Sequence, residues 1–219
     1  MTISDDGLRR KLLASAFQMP SVQTMVSRKS SITNAFVNAV IPVIVPTSDD
    51  IENALAILEM DPANVRCAYC GDKSSEWDHL RPLVVNKRPT GFVSEIANLV
   101  PACGKCNQSK GNKPWRIWIV SDAPLSPTGR MVADVAARFA RLEAYESWQP
   151  PTQVDFEAIL GREDWEKYWL MWKDVNETLS ECQSVAELLR ARVAEKLPGR
   201  VIATPLDLDP DLQQPPDDA

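Results

Sequence analysis

The sequence predicts an α+β protein, mainly helical, built around one small core with little helix of its own. Three observations predict it. Long stretches on either side of the centre repeat apolar residues at helical spacing. A central segment, roughly residues 67–113, is instead rich in turns, glycines and short alternating runs. That segment also holds four of the five cysteines, as two C-x-x-C pairs.

Residues 7–19 place Leu8, Leu12, Leu13 and Phe17 at helical spacing, and Pro20 stops the run. Two acids precede its basic cluster and no apolar stretch of leader length is present, so it reads as a helix of a mature cytoplasmic protein. Residues 31–40 predict a second, short helix before Pro42. Ile41 to Val45 reads as an edge strand or an extended linker. Asp49 with Glu52 resembles a capping box, opening a helix with Ile51, Ala54, Leu55 and Leu58 on one face that ends before Pro62. Beyond the central segment comes the loop Ser121 to Pro127. Met131, Val135, Phe139 and Leu142 then mark a helix to about Ser147, and Pro150 and Pro151 break the chain. Residues 153–197 are again helical, with Trp165, Trp169 and Trp172 at spacings of four and three, and Val185, Leu188, Leu189 and Val193 continuing an apolar face. Cys182, in that stretch, reads as a small buried hydrophobe. Residues 205–219 are acidic and rich in proline, the composition of a disordered tail. The expected organisation is a helical region over 1–65, a core over 66–120, a second helical region over 121–204, and the tail.

The formal net charge is −6, which looks wrong for a protein that binds nucleic acid. Its distribution reverses the impression. Residues 66–118 hold nine Lys or Arg against four Asp or Glu, residues 1–65 hold five against seven, and residues 119–219 hold ten against nineteen. Positive charge is concentrated in the turn-rich core, and the local field decides phosphate binding. No run approaches the length of uncharged apolar residues that a membrane span needs, so no membrane partner is expected.

Within the core, Cys67-x-x-Cys70 and Cys103-x-x-Cys106 can each offer two thiolates to one tetrahedral zinc. A four-thiolate site has no open position for substrate, so this zinc is structural, and its binding supplies folding energy that a short, turn-rich unit lacks. Asp78 and His79 are adjacent, and His79 is the only histidine. Neighbouring side chains on a strand point to opposite faces, but at a strand end or a bend both can converge on one phosphate. A neutral imidazole suits deprotonation of water near neutral pH, and a carboxylate suits a hard divalent ion. Asn107 directly follows a zinc ligand, so the zinc fixes its backbone. Its amide oxygen is a fair ligand for magnesium, although asparagine also caps helices commonly. Lys110 lies one helical turn further on, placed to meet phosphate. Arg81, Lys87, Arg88, Lys105 and Lys113 complete a candidate DNA-binding set, supported by Arg116. Lys87 and Arg88 read as part of a hairpin loop that either reaches phosphate or is a solvated turn. Trp115 and Trp118 read as packing against the flanking helices, with base stacking the other reading.

The order C-x-x-C, D-H, N-L-V, C-x-x-C-N-x-x-K-G over residues 67–113 resembles the HNH endonuclease family. The resemblance implies a zinc-stapled ββα-metal core inside the mainly helical α+β protein. It implies a metal-dependent DNA endonuclease, in a restriction or anti-phage defence role. By the same likeness His79 is the general base that activates water. Asp78 binds the catalytic Mg2+ or Mn2+, Asn98 orients the histidine and its loop, and Asn107 is the second metal ligand. With Asn107 in the third position the chain is an H-N-N variant, which keeps a metal ligand and can alter metal preference. The acidic helical regions carry no readable DNA contact and are expected to hold a homodimer or partner-protein interface. The competing readings are a non-catalytic zinc module that binds nucleic acid or protein, and a ribonuclease on the same scaffold.

Overall fold

The computed structural model describes residues 20–197 together with 9, 13, 16, 17, 199 and 200. The expected tail and most of the expected first helix lie outside the described residues. Ser30–Lys173 forms one compact unit, and Met1–Lys29 with Asp174–Ala219 forms another. In chain order the elements are α1 (Lys29–Val40), α2 (Ser48–Ile57), β1 (Glu76–His79), β2 (Val84–Val85), β3 (Arg88–Pro89), β4 (Leu99–Ala102), α3 (Gly104–Lys110), α4 (Trp115–Ile119), α5 (Val135–Trp148), α6 (Phe156–Leu160) and α7 (Arg162–Ala194). The protein is thus α+β and mainly helical, with two small antiparallel pairs of strands. Among the described residues no helix is long and apolar enough to cross a membrane.

Two helix starts differ from the sequence expectation. The capping box of α2 is built by Thr47 and Asp50, whose side chains accept hydrogen bonds from each other's backbone N–H. Thr47 still has extended backbone, with φ −78° and ψ 167°, so it can aim its hydroxyl at the first turn. Asp49, two residues later, is already helical. Met131 sits at φ +56° and is 88% exposed. It ends a turn rather than opening α5, which begins four residues on.

The unit Ser30–Lys173 buries two apolar clusters. Leu58, Tyr69, Leu80, Val100, Trp115, Trp118, Ile119, Leu142 and Tyr145 surround the four paired cysteines. Val37 of α1 and Ile41 just after it pack with Leu83, Val84, Val93, Phe156 and Trp169. Trp115 and Trp118 are therefore core residues, 3% and 1% exposed, and offer no face for stacking bases. Strand β1 pairs antiparallel with β4, Asp78 opposite Val100 and His79 opposite Leu99. Alternation along β1 buries Asp78 and leaves Trp77 exposed. The pair β2–β3 is a hairpin turned by Asn86 and Lys87, at φ +51° and +62°. Both lie in the left-handed region, as a two-residue turn that matches strand twist requires.

In the other unit the Gln183 side chain accepts a hydrogen bond from the backbone N–H of Met25 at 2.7 Å. Cys182 is exposed, not the buried hydrophobe expected, because its position falls on the outer side of α7. Val185, Leu188, Leu189 and Val193 are more than half exposed as well.

Candidate functional site

The four paired cysteines converge. Their sulfurs all lie within 4.8 Å of one another and all four residues are buried. Cys70 and Cys103 sulfurs are 3.6 Å apart, far beyond a disulfide. A tetrahedral zinc with sulfurs at about 2.3 Å has sulfur–sulfur edges of about 3.8 Å, so the arrangement fits that ion. Shared hydrogen bonds with Cys103 are the largest influence pushing the Cys67 and Cys106 thiols up, while the bond with Cys106 pulls Cys103 down. A divalent ion bound by four thiolates removes that competition. Gly71 closes the first turn at φ +83°, a left-handed backbone conformation that glycine adopts without strain. Cys103 caps α3 and Cys106 lies within it. Arg130, from the loop before α5, donates to the Cys106 sulfur at 3.0 Å and pairs with Asp72 at 3.2 Å. A guanidinium in that position favours a thiolate.

Helix α3, which carries Cys106 and follows Cys103, packs against β1. Asn107 and Lys110, one turn apart on α3, meet Glu76 and Asp78, two apart on one face of β1. The Asn107 amide nitrogen donates to Glu76, which leaves its amide oxygen for another partner. Asn107 lies inside α3, so it is not a helix cap. Asp78 accepts from the Tyr69 hydroxyl at 2.6 Å and from Lys110 at 3.0 and 3.2 Å. Lys110 also donates to the His79 carbonyl at 2.7 Å. Burial raises the Asp78 carboxyl and lowers the Lys110 ammonium, and their mutual attraction opposes both shifts.

Lys110 is fully buried, which corrects its expected role at phosphate: it is an internal counter-charge for Asp78. Breaking such a pair leaves a buried carboxylate uncompensated. Lys110→Met is therefore expected to destabilise the protein by about 3–5 kcal/mol, measured by denaturant unfolding. Near-wild-type stability would mean that Asp78 does not need this partner.

His79 ends β1, the position at which neighbouring side chains can share one cleft. Asp78, His79 and Asn107 do so, in a cleft of about 230 Å³ that is also lined by Asn34 and Asn38 of α1 and by Asn112. Burial, and then the charge of Lys110, lowers the His79 pKa to about 4, so the ring is neutral at neutral pH. Its Nε2 is 2.9 Å from the Ser94 hydroxyl. Asn98 is fully buried and ties down the chain just beyond His79. Its amide oxygen accepts from the Arg81 N–H at 2.8 Å, and its amide nitrogen donates to the Arg81 carbonyl at 3.1 Å. The Asp78 carboxylate and Asn107 amide oxygen are hard donors on one cleft, a set that fits a divalent cation.

The basic residues disperse. Arg81 pairs with Glu146 at 3.1 Å, and Arg116 with Glu143 and Glu146. Arg88 lies over the Trp169 and Trp172 rings at 4.3 and 5.2 Å. Lys87, Lys105 and Lys113 are exposed.

Sequence reading missed Tyr69, Glu76, Ser94, Arg130, Asn34 and Asn38. Glu76 had a signal, since it alternates with Asp78 on one strand face. Tyr69 lies inside the first C-x-x-C. Ser94 lies between β3 and β4 within the core, and Asn34, Asn38 and Arg130 come from segments outside it; no local pattern marks any of them.

Residues 67–113 match the HNH endonuclease family. A 59-residue stretch is 44% identical to the CRISPR-associated endonuclease Cas9 of Corynebacterium diphtheriae, covering 25% of this chain and 5% of that protein. No solved structure matches.

Proposed function

We propose that this chain, whose residues 67–113 match the HNH endonuclease family, is a metal-dependent endonuclease that hydrolyses phosphodiester bonds in DNA. The observation that carries this reading is a neutral His79 at a strand end, sharing one cleft with Asp78 and Asn107. His79 takes a proton from water as the oxygen attacks phosphorus in line. The bond to the 3′-oxygen breaks, leaving 5′-phosphate and 3′-hydroxyl ends. A Mg2+ or Mn2+ held by Asp78 and Asn107 would neutralise the charge that develops on the phosphate and the leaving oxygen. Glu76 turns the Asn107 amide so that its oxygen is available, and Asn98 fixes the loop that follows the base. The four-cysteine zinc holds α3 against β1 and so sets the spacing of Asp78 and Asn107. Exposed Lys87, Lys105 and Lys113 are proposed phosphate contacts; Arg81 pairs with Glu146, and Arg88, also exposed, lies over the Trp169 ring.

DNA as substrate rests on the family likeness, and so does a restriction or anti-phage role, which the CRISPR-associated relative supports. Supercoiled plasmid and structured RNA, each incubated with Mg2+, with Mn2+ and with excess EDTA, test the reading. The expected result is metal-dependent cleavage of the plasmid, abolished by EDTA, with 5′-phosphate ends. Nicked product indicates a monomer acting on one strand, and linear product indicates two sites acting together, as in a homodimer. Cleavage of RNA alone would make the protein a ribonuclease. Binding without cleavage of either would leave a non-catalytic zinc module.

A further inference from the structure

The segment from α1 to Ile44 lies outside residues 67–113, yet two features tie it to the cleft. Asn34 and Asn38, at i and i+4 on α1, line the cleft beside His79 and Asn107. The extended chain after α1 also clamps Ser94. The Ser94 N–H donates to the Pro42 carbonyl at 3.2 Å, and the Ser94 carbonyl accepts from the Ile44 N–H at 2.8 Å, making a parallel bridge at Val43. Ser94 is thereby fixed at both ends of its residue, and its hydroxyl stands 2.9 Å from His79 Nε2.

We propose that residues 29–45 are a working part of the nuclease cleft. Through Ser94 they hold His79 as the tautomer with its proton on Nε2 and Nδ1 bare, and through Asn34 and Asn38 they grip the nucleic-acid strand beside the scissile phosphate. The proposal rests on the nuclease reading above.

The chemistry requires a definite tautomer. A neutral imidazole carries one N–H and one acceptor nitrogen, and only the acceptor can take a proton from water. When Nε2–H donates to the Ser94 hydroxyl, Nδ1 is the acceptor. Among the described residues Nδ1 has no hydrogen-bond partner, and it is not among the buried polar atoms left without one, so it is open to the cleft. Ser94 is a positioning residue: it acts on the substrate only through His79. The asparagines act directly. Asn38 donates one amide N–H to the Asn34 carbonyl at 2.7 Å, which fixes its rotamer and leaves its second N–H to donate elsewhere. The Asn34 amide makes no hydrogen bond among the described residues. Neutral amides donate to phosphate oxygens without competing with Asp78 for a cation. The helix carrying them is rigidly seated, since Val37 is fully buried and Ile41 nearly so. The Tyr168 hydroxyl also donates to the Phe36 carbonyl at 2.9 Å.

The single histidine makes the tautomer directly observable. In a two-bond 1H–15N spectrum of the full zinc-loaded chain at neutral pH, only one imidazole appears. The expected wild-type spectrum has a protonated Nε2 and an unprotonated Nδ1. Ser94→Ala should mix the two tautomers and lower kcat on plasmid about tenfold with KM unchanged, and Ser94→Thr, which keeps the hydroxyl, should restore both. The double variant Asn34→Ala with Asn38→Ala should raise KM about tenfold while leaving the imidazole spectrum unchanged. A wild-type ring protonated on Nδ1, or a Ser94→Ala spectrum identical to wild type, overturns the positioning role. An unchanged KM in the asparagine double variant overturns the substrate contact. Melting curves identify any variant that fails to fold, and Ser94→Thr then decides by its spectrum. Absence of any cleavage by wild type would defeat the nuclease reading alone, because the spectra still read the contact with Ser94.

Discussion

His79→Ala is expected to lower cleavage by about 10²–10⁴-fold while leaving zinc content, melting and DNA binding near wild type. No second histidine exists to take over the proton. The surrounding carboxylates are committed elsewhere: Asp78 is proposed to hold the metal, and Glu76 accepts from Asn107. The same placement sets the pH dependence. Burial, then Lys110, lowers the His79 pKa to about 4, so the ring loses its proton as pH rises through that value and stays neutral above it. The rate in wild type is therefore expected to be flat from about pH 8 down to about pH 5.5 and to fall as pH approaches 4. The unfolded chain, with an ordinary histidine near 6.5, binds this proton more readily than the native state. Native stability should accordingly decline as pH falls from about 6.5 toward 4. A rate that halves near pH 6.5 would contradict the buried position of His79. Undiminished cleavage by His79→Ala would remove it from the mechanism altogether.

Cys106→Ser has a larger expected effect on the protein itself. Cys106 is fully buried at the start of α3 and receives the Arg130 guanidinium. Losing one of four thiolates opens the metal site and leaves that cation facing a weak acceptor. The cost is expected to exceed about 4 kcal/mol. In a chain of this size that corresponds to a melting temperature about 10 °C lower or more, with bound zinc falling below one per chain. The parallel variant Cys182→Ser, at an exposed position, should change neither quantity. Zinc content by elemental analysis and thermal melting check both. Stoichiometric zinc and wild-type melting in Cys106→Ser would defeat the four-cysteine site. If, as proposed, zinc braces α3 where it carries Asn107, cleavage should fall with it.

The core was legible because its chemistry is local. Two C-x-x-C turns announce a metal wherever they meet, and Asp78-His79 is adjacent in the chain. The pairing of Asn107 with Glu76 was partly legible, since strand and helix periods bring both to one interface. Lys110 was misread for a physical reason: a lysine three residues after Asn107 has the same sequence signature whether it faces solvent or a buried carboxylate. Only the burial of Tyr69, whose hydroxyl meets Asp78 and whose ring packs on Trp118, and of Val100 opposite Asp78 makes that side the interior. Met131 and Cys182 failed similarly, because helical spacing cannot reveal a left-handed residue or tell which side of a long helix is covered.

By itself, then, the sequence determined the fold class, from helical spacing in the flanking stretches, and the paired C-x-x-C turns and the one imidazole, from residue type and spacing within 47 residues. The tertiary structure decided what surrounds them. It placed Ser94 on His79, Asn34 and Asn38 across the cleft, Arg130 on the thiolates and Lys110 beneath Asp78. Each of these contacts joins segments far apart in the chain. Their distances are fixed by which apolar faces bury against one another, and no local pattern carries that information.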